Sequence, residues 1–319
     1  MSPSPETSPT EKYGNCEIRR RTIDLPQELV GIVVGFLDDK ADLSTCTLLS
    51  HQWRISAHPK LFHSIVIYYH KGHEDHRTYE SRFNSFYGFL VCVDSSSGPW
   101  QVNRWIKDLS LRGGSIMDDY QINSFEIDAI LARLPALQTL TLSSMDLHQC
   151  PGVLTPASWH APRSLKKLTL EHVSMYTDAQ ENGTVLHVRC SFVELLNLFS
   201  EIQTLHLTDS ESDSESDSGP LPGYDLVAAA LIKRTLRIRN LISNGCHGHW
   251  WMLLCKSGCL CFENLLSIDF LEHLGECDLF LQNVGHSLRS LSLSIGMCKA
   301  GNGKVRSISI STHTLRRGH

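Results

Sequence analysis

The chain has 319 residues, 41% apolar and 20% charged, with 29 lysines and arginines against 34 aspartates and glutamates; this allows two or three units at roughly 100–200 residues per domain. A formal net charge of −5 spreads no basic field over the surface, which argues against a nucleic-acid partner. No apolar run reaches the roughly 18 residues of a membrane span, and Met1 to Asn15 hold no apolar signal core, so the expectation is a protein of the cytoplasm, the nucleus or both, with no membrane contact.

Residues 1–22 contain three prolines, several serines and threonines and the basic run Arg19-Arg20-Arg21. Such a composition buries too little apolar surface to offset the entropy of ordering, and predicts a disordered arm. Residues 23–66 read as short helices. Asp24 suits an N-cap and Pro26 a first turn, after which Leu29, Ile32, Val33, Phe36 and Leu37 recur at helical spacing as one apolar stripe. Gly31 and Gly35 lie off the stripe, and each weakens a helix by about 1 kcal/mol relative to Ala. A second helix is predicted after Asp38-Asp39-Lys40, with Leu43, Cys46, Leu49 and Trp53 as its apolar side, and a third opening at Pro59. These are more apolar residues than three short helices can bury among themselves, and a surplus apolar face suits docking into a groove.

From residue 67 to about residue 300 an internal repeat takes over. Lys107-Asp108-Leu109-Ser110-Leu111, Gln138-Thr139-Leu140-Thr141-Leu142, Lys166-Lys167-Leu168-Thr169-Leu170, Gln203-Thr204-Leu205-His206-Leu207 and Arg289-Ser290-Leu291-Ser292-Leu293 share one form. Each also has Ile or Leu three residues before its first Leu, and weaker copies surround Ile65 and Ile268. Helix-period stretches precede several copies, at Phe125 to Leu134 and Ser191 to Phe199. The predicted fold is therefore α/β: a small helical unit followed by an irregular solenoid of parallel strands with return helices. With the leucines pointing inward, alternation places Arg112, Thr141, Lys167, Thr169, Glu171, His206 and Ser292 on the opposite, open face. That face is either a partner-binding surface or the solvated side of a half-buried sheet.

Asp209 to Ser218 alternates serine with acid and is followed by Gly219-Pro220, which predicts a disordered acidic insertion over 209–223. Ser210, Ser212 and Ser214 each have an acid three residues on, the pattern of an acid-directed kinase site; the alternative is an inert loop. The stretch 225–262 carries no legible pattern, and 301–319 reads as an atypical tail. Among the eleven cysteines, the group Cys246, His247, His249, Cys255, Cys259 and Cys261 lacks the paired short knuckles of a structural zinc site, so core thiols are expected and no metal. His70, His73 and His76 read as a solvated loop. No cofactor is implied, and no G-x-S-x-G, H-E-x-x-H or phosphate-binding glycine loop suggests an enzyme.

Leu25-Pro26-x-Glu28-Leu29-x-x-Ile32, then Phe36-Leu37, Asp42-Leu43-x-x-Cys46-x-x-Leu49-Ser50-x-x-Trp53 and Leu61-Phe62-x-Ser64-Ile65 together resemble an F-box. The match covers about 40 residues, and the remainder is similar to the degenerate leucine-rich repeats of the large fungal-type F-box group. The resemblance implies that Leu25, Pro26, Leu29, Ile32, Phe36, Leu43, Cys46, Leu49 and Trp53 bind a Skp-type adaptor, and through it a cullin scaffold. It further implies that the repeats hold an unidentified protein substrate and that the chain is a non-catalytic subunit of a ubiquitin ligase. A scaffold that uses the adaptor without a ligase is the alternative.

Overall fold

The computed structural model describes residues 25–68, 81–95, 101–113, 121–149, 160–182, 185–208, 212–214, 224–233, 235–244, 248–259, 267–270, 291–295 and 308–312. Asp24, the arm and His70 to His76 lie outside these residues. The chain divides into two compact units, Met1–Ala57 and His58–His319, so the division falls inside a helix, ahead of residue 66.

The first unit holds α1 (Gln27–Gly35), α2 (Lys40–Leu49) and the start of α3 (His51–Leu61). Pro26 precedes α1, and its carbonyl accepts from Leu29 N and Val30 N at 3.0 and 3.1 Å. This is the position where a fixed φ and a missing N–H do least harm. Asp39 caps α2 by accepting from Ala41 N at 2.8 Å. The extended Ser50 then breaks the helix, so Trp53 belongs to α3 and not to the apolar side of α2. Pro59 sits in the last turn of α3 instead of opening a helix; the chain ahead of it has no helix-breaking residue and continues helically from His51. The buried side chains are Val30, Val34, Leu43, Cys46 and Ala57. Gln27 Nε2 donates to Ser56 Oγ at 2.6 Å, tying α1 to α3. Arg54 Nε donates to Thr47 O at 3.0 Å, tying α3 to α2.

The second unit is α/β. Its strands are β1 (Ser64–Tyr68), β2 (Asp108–Arg112), β3 (Gln121–Asn123), β4 (Thr139–His148), β5 (Arg163–Asn182), β6 (Val185–Cys190), β7 (Phe199–Thr208), β8 (Ser212–Ser214), β9 (Arg237–Asn244), β10 (Ser267–Phe270), β11 (Leu291–Ile295) and β12 (Ile308–Thr312). They form one sheet in the order β1-β2-β4-β5-β7-β9-β10-β11-β12, with β3 on β4, and β6 and β8 on β5. Pairing from β1 to β11 along this path is parallel; β12 closes it antiparallel to β11. Helices α4 (Ser81–Ser95), α5 (Ser124–Leu131), α6 (Ser191–Leu196), α7 (Tyr224–Leu231) and α8 (Gly248–Ser257) alternate with the strands.

The repeat fixes the register. Ile65, Leu109, Leu140, Leu168, Leu205 and Leu241 are successive partners, as are Ile67, Leu111, Leu142, Leu170 and Leu207. The Leu members of both ladders are buried and join one core with Ile127, Ile130, Phe192, Leu195, Ala228, Trp250 and Leu253 from the helices. Each buried Leu contributes roughly 1.5–3 kcal/mol, and a one-residue slip would turn the whole ladder to solvent.

After the second Leu the strands bend. Ser144 (φ 53°) and His172 (φ 50°) take left-handed conformations at adjoining positions, between the partner pairs Ser143–Glu171 and Met145–Val173. Gly113 reaches the same corner, where its N–H donates to Ser143 O at 2.7 Å. A Cβ on Gly113 would collide with the Ser144 carbonyl, so this close backbone approach needs glycine. Beyond the corner, Met145, Leu147, Val173 and Met175 resume burial. Asn123 then caps α5 in a reciprocal box with Glu126, both bonds at 3.0 Å.

Three expectations are corrected here. The illegible stretch 225–262 contains α7, β9 and α8, and β9 is a further repeat strand: Ile238 and Leu241 pair with Ile202 and Leu205, but Ser243 replaces the second Leu. The tail contributes β12, whose Ile308 and Ile310 pair with Ile295 and Leu293. Within the acidic insertion, Ser212–Ser214 forms strand β8 against Met175–Thr177, in place of the disorder predicted for 209–223; the rest of the insertion lies outside the described residues.

Candidate functional site

Two surfaces gather the residues singled out in the sequence. The first is on the helical unit. Its predicted apolar stripe is present on α1, but it faces outward: Leu29 is 47% exposed, Ile32 56% and Phe36 82%. The helix instead buries Val30 and Val34, the two valines between the stripe positions. Leu25 and Pro26 are also exposed, and Leu49, at the end of α2, is 61% exposed. Trp53 is half-buried. Leu43 (2% exposed) and Cys46 (8%) differ: they lie inside, where they support the surface without presenting it. Val33, Leu48 and Ile55 are exposed apolar residues outside the expected set. Val33 was legible, since it sits four residues after Leu29.

The second surface is the face of the sheet opposite the leucines. Partnered residues build it in rows. One row runs Ser64, Asp108, Thr139, Lys167, Thr204, Asn240; the next Val66, Ser110, Thr141, Thr169, His206, Ile242; the third Tyr68, Arg112, Ser143, Glu171, Thr208, Asn244. The predicted residues Arg112, Thr141, Lys167, Thr169, Glu171 and His206 are thus brought together on β2 to β7. Ser292 stands apart on β11, opposite Ser311 of β12. Arg112 is exposed, with its guanidinium 5.7 Å from the centroid of the Tyr68 ring and its Nε donating to Ser110 Oγ at 3.2 Å. Thr169 is only 8% exposed, so it is closed over between its row neighbours and is not an open contact position. Val66 and Tyr68, both exposed, extend the face at β1 with an apolar and an aromatic side chain that the β1 copy was too degenerate to signal.

His206 lies near the middle of this face. Its Nε2 is 3.0 Å from Thr208 Oγ1. Burial pushes its pKa below the ordinary imidazole value; the Lys167 charge adds to this and Glu171 opposes it. The ring is therefore neutral near pH 7, and the face is set by hydroxyls, amides and a neutral imidazole with a few charges among them. At the opposite, helix-facing side, the buried Asp128 of α5 accepts from His160 N at 3.1 Å and contacts His160 Nδ1 at 2.9 Å. Burial lowers the pKa of Arg163 and of Lys233, each partly offset by the Asp128 carboxylate. This group fastens α5 to the start of β5.

Of the serines suited to an acid-directed kinase, Ser212 and Ser214 lie on β8 and Ser210 outside the described residues. In the Cys/His group, Cys259 is buried and accepts from Ser257 Oγ at 3.0 Å, the environment of a core thiol. His249 and Cys255 lie on α8, and Cys246, His247 and Cys261 outside the described residues. Among the described residues, no helix is long and apolar enough to cross a membrane. The chain matches no protein-family model and no curated protein.

Proposed function

We propose that this chain is the substrate-recognition subunit of a cullin-type (SCF) ubiquitin ligase. In this reading α1 to α3 act as an F-box that binds the Skp-type adaptor, and the repeated strands form an irregular leucine-rich-repeat solenoid whose open face holds the protein substrate. The observation that carries it is the outward stripe of α1. Leu29, Ile32 and Val33 on α1 and Phe36 just past its end are exposed together, next to exposed Leu25 and Pro26, at the positions where the sequence resembles an F-box. An amphipathic helix with its apolar face turned to solvent suits docking into a partner's groove.

The chain then needs no catalytic group of its own. Holding the substrate beside a charged ubiquitin carrier raises its effective concentration, and proximity does the rest. The test is affinity purification of the tagged full chain from cells, with mass spectrometry of what accompanies it. Adaptor together with cullin supports the ligase reading. Adaptor without cullin replaces it with the scaffold reading, and absence of the adaptor overturns both.

A further inference from the structure

The repeat copies share more than their leucines. Asp108, Thr139, Lys167, Thr204 and Asn240 are successive register partners, so the residues just before them, Lys107, Gln138, Lys166, Gln203 and Arg239, form a row across β2, β4, β5, β7 and β9. The backbone confirms the first steps: Gln138 N donates to Lys107 O at 2.7 Å, and Lys166 N to Gln138 O at 2.8 Å. Lys166, Gln203 and Arg239 are exposed, and Lys107 and Gln138 half-buried. Every member ends in an N–H donor and none in a carboxylate. The acids nearest in register already have partners, Asp108 with His63 Nδ1 at 3.2 Å and Glu201 with Arg239 at 2.7 Å.

Spacing gives the row its selectivity. Neighbouring strands lie about 4.8 Å apart, so the cations, on alternate strands, recur about every 10 Å. A segment in the extended polyproline II conformation rises about 3.1 Å per residue with three residues per turn, so side chains three residues apart share one face and lie about 9 Å apart. We propose that this row binds an extended acidic segment of the protein partner, running across the strands with carboxylates three residues apart. The inference rests on the reading of this unit as the partner-holding one and names the class of segment held; the row has the parity of the leucines, so it lies at the leading ends of the strands, beside the open face and not on it. Lys107, Lys166 and Arg239 meet the carboxylates, while Gln138 and Gln203 donate to the segment between them. Arg239 keeps its 2.7 Å pairing with the buried Glu201 Oε1 and offers its other guanidinium N–H groups to the incoming acid.

The experiment uses the purified full chain and a fluorescein-labelled peptide of about five Glu-Gly-Ser repeats, matched to the three-residue period. The comparison is the same peptide with Gln for Glu, read by fluorescence anisotropy at low and high salt. The Glu peptide should bind at least about tenfold more tightly, and salt should erode the difference, because exposed charges are screened. The double variant Lys107→Gln with Lys166→Gln should weaken the Glu peptide about three- to tenfold with an unchanged melting temperature, the size expected for one exposed and one half-buried ion pair at the surface. Equal affinity for the two peptides, or wild-type affinity in the double variant, overturns the proposal. So does preferential capture of poly(U) RNA, which would reassign the row to nucleic acid. Adaptor capture is measured on the same preparations. Intact capture without peptide discrimination defeats this inference alone, and lost capture with intact discrimination defeats the ligase reading alone.

Discussion

Phe36→Ala separates docking from folding more cleanly than any change on α1 itself. Phe36 follows the last residue of the helix and is 82% exposed. An aromatic side chain presents about 150–250 Å², so a groove that covers Phe36 removes on the order of 150 Å² from water. At about 25 cal/mol per Å² that is worth about 4 kcal/mol. Alanine retains part of the area, which leaves an expected loss of about 2–3 kcal/mol, roughly 30- to 150-fold in adaptor Kd. Stability should move by less than about 0.5 kcal/mol, because the side chain now contacts mainly solvent. The measurement is adaptor titration calorimetry beside a thermal melt, with Leu43→Ala as the opposite case. Leu43 is 2% exposed, and its truncation should destabilise the unit by about 2–5 kcal/mol. Wild-type adaptor Kd in a normally folded Phe36→Ala protein would refute the assignment of the stripe as the docking face.

Gly31→Ala should raise stability by about 0.5–1 kcal/mol in a urea titration, since nothing lies within 4 Å of the added methyl group; a lower midpoint would show that the helix needs glycine there. Gly113→Ala should lower stability by about 3 kcal/mol or more, because its Cβ meets the rigid Ser144 carbonyl; a melting temperature equal to wild type would contradict the corner geometry. His206 titrates below an unfolded imidazole, so the folded protein binds this proton less readily. Its contribution is present above about pH 6.5 and is lost as pH falls through the lowered value. His206→Gln should therefore flatten the acid decline in melting temperature, and a profile identical to wild type would show that His206 does not contribute to it.

The leucine periodicity made the parallel sheet and its register legible, because five copies repeat both the inward leucines and the polar residues between them. What it missed has physical causes. In β9 the second inward position is Ser243, paired with Leu207, so a search for two leucines passes over a strand that geometry includes. The β8 pairing depends on backbone hydrogen bonds to Met175–Thr177, to which an acid-rich sequence gives no clue. On the helical unit the stripe was legible but its direction was not. Periodicity shows that Leu29, Ile32, Val33 and Phe36 share one side of a helix. It cannot show that Val30 and Val34 make a competing side that is the one buried. Thr169 marks the same limit on the sheet, where alternation gives the face and only its neighbours decide whether a short side chain stays accessible.

The two surfaces draw on different physical terms, and that difference fits the division of labour proposed for them. The α1 stripe offers area: hydrophobic burial is non-directional, so one preformed groove can accept such a stripe from helices that differ in detail. The open sheet face offers direction. Thr141, Thr204, Thr208 and Asn240 sit on strands locked in register by a buried leucine ladder, so their donors and acceptors cannot shift to suit an ill-fitting partner. A partner that leaves such a group covered but unpaired loses about 1–3 kcal/mol at each. Under the proposed function, selection on this face would work by rejection and attachment through α1 by contact area. A chain that must join a common assembly and yet choose its partner gains from keeping those two terms on separate units. Phe36→Ala should accordingly leave the affinity for the Glu peptide unchanged, and Lys107→Gln with Lys166→Gln should leave the adaptor Kd unchanged; a shift above about 0.5 kcal/mol in either cross-measurement would show the two terms to be coupled.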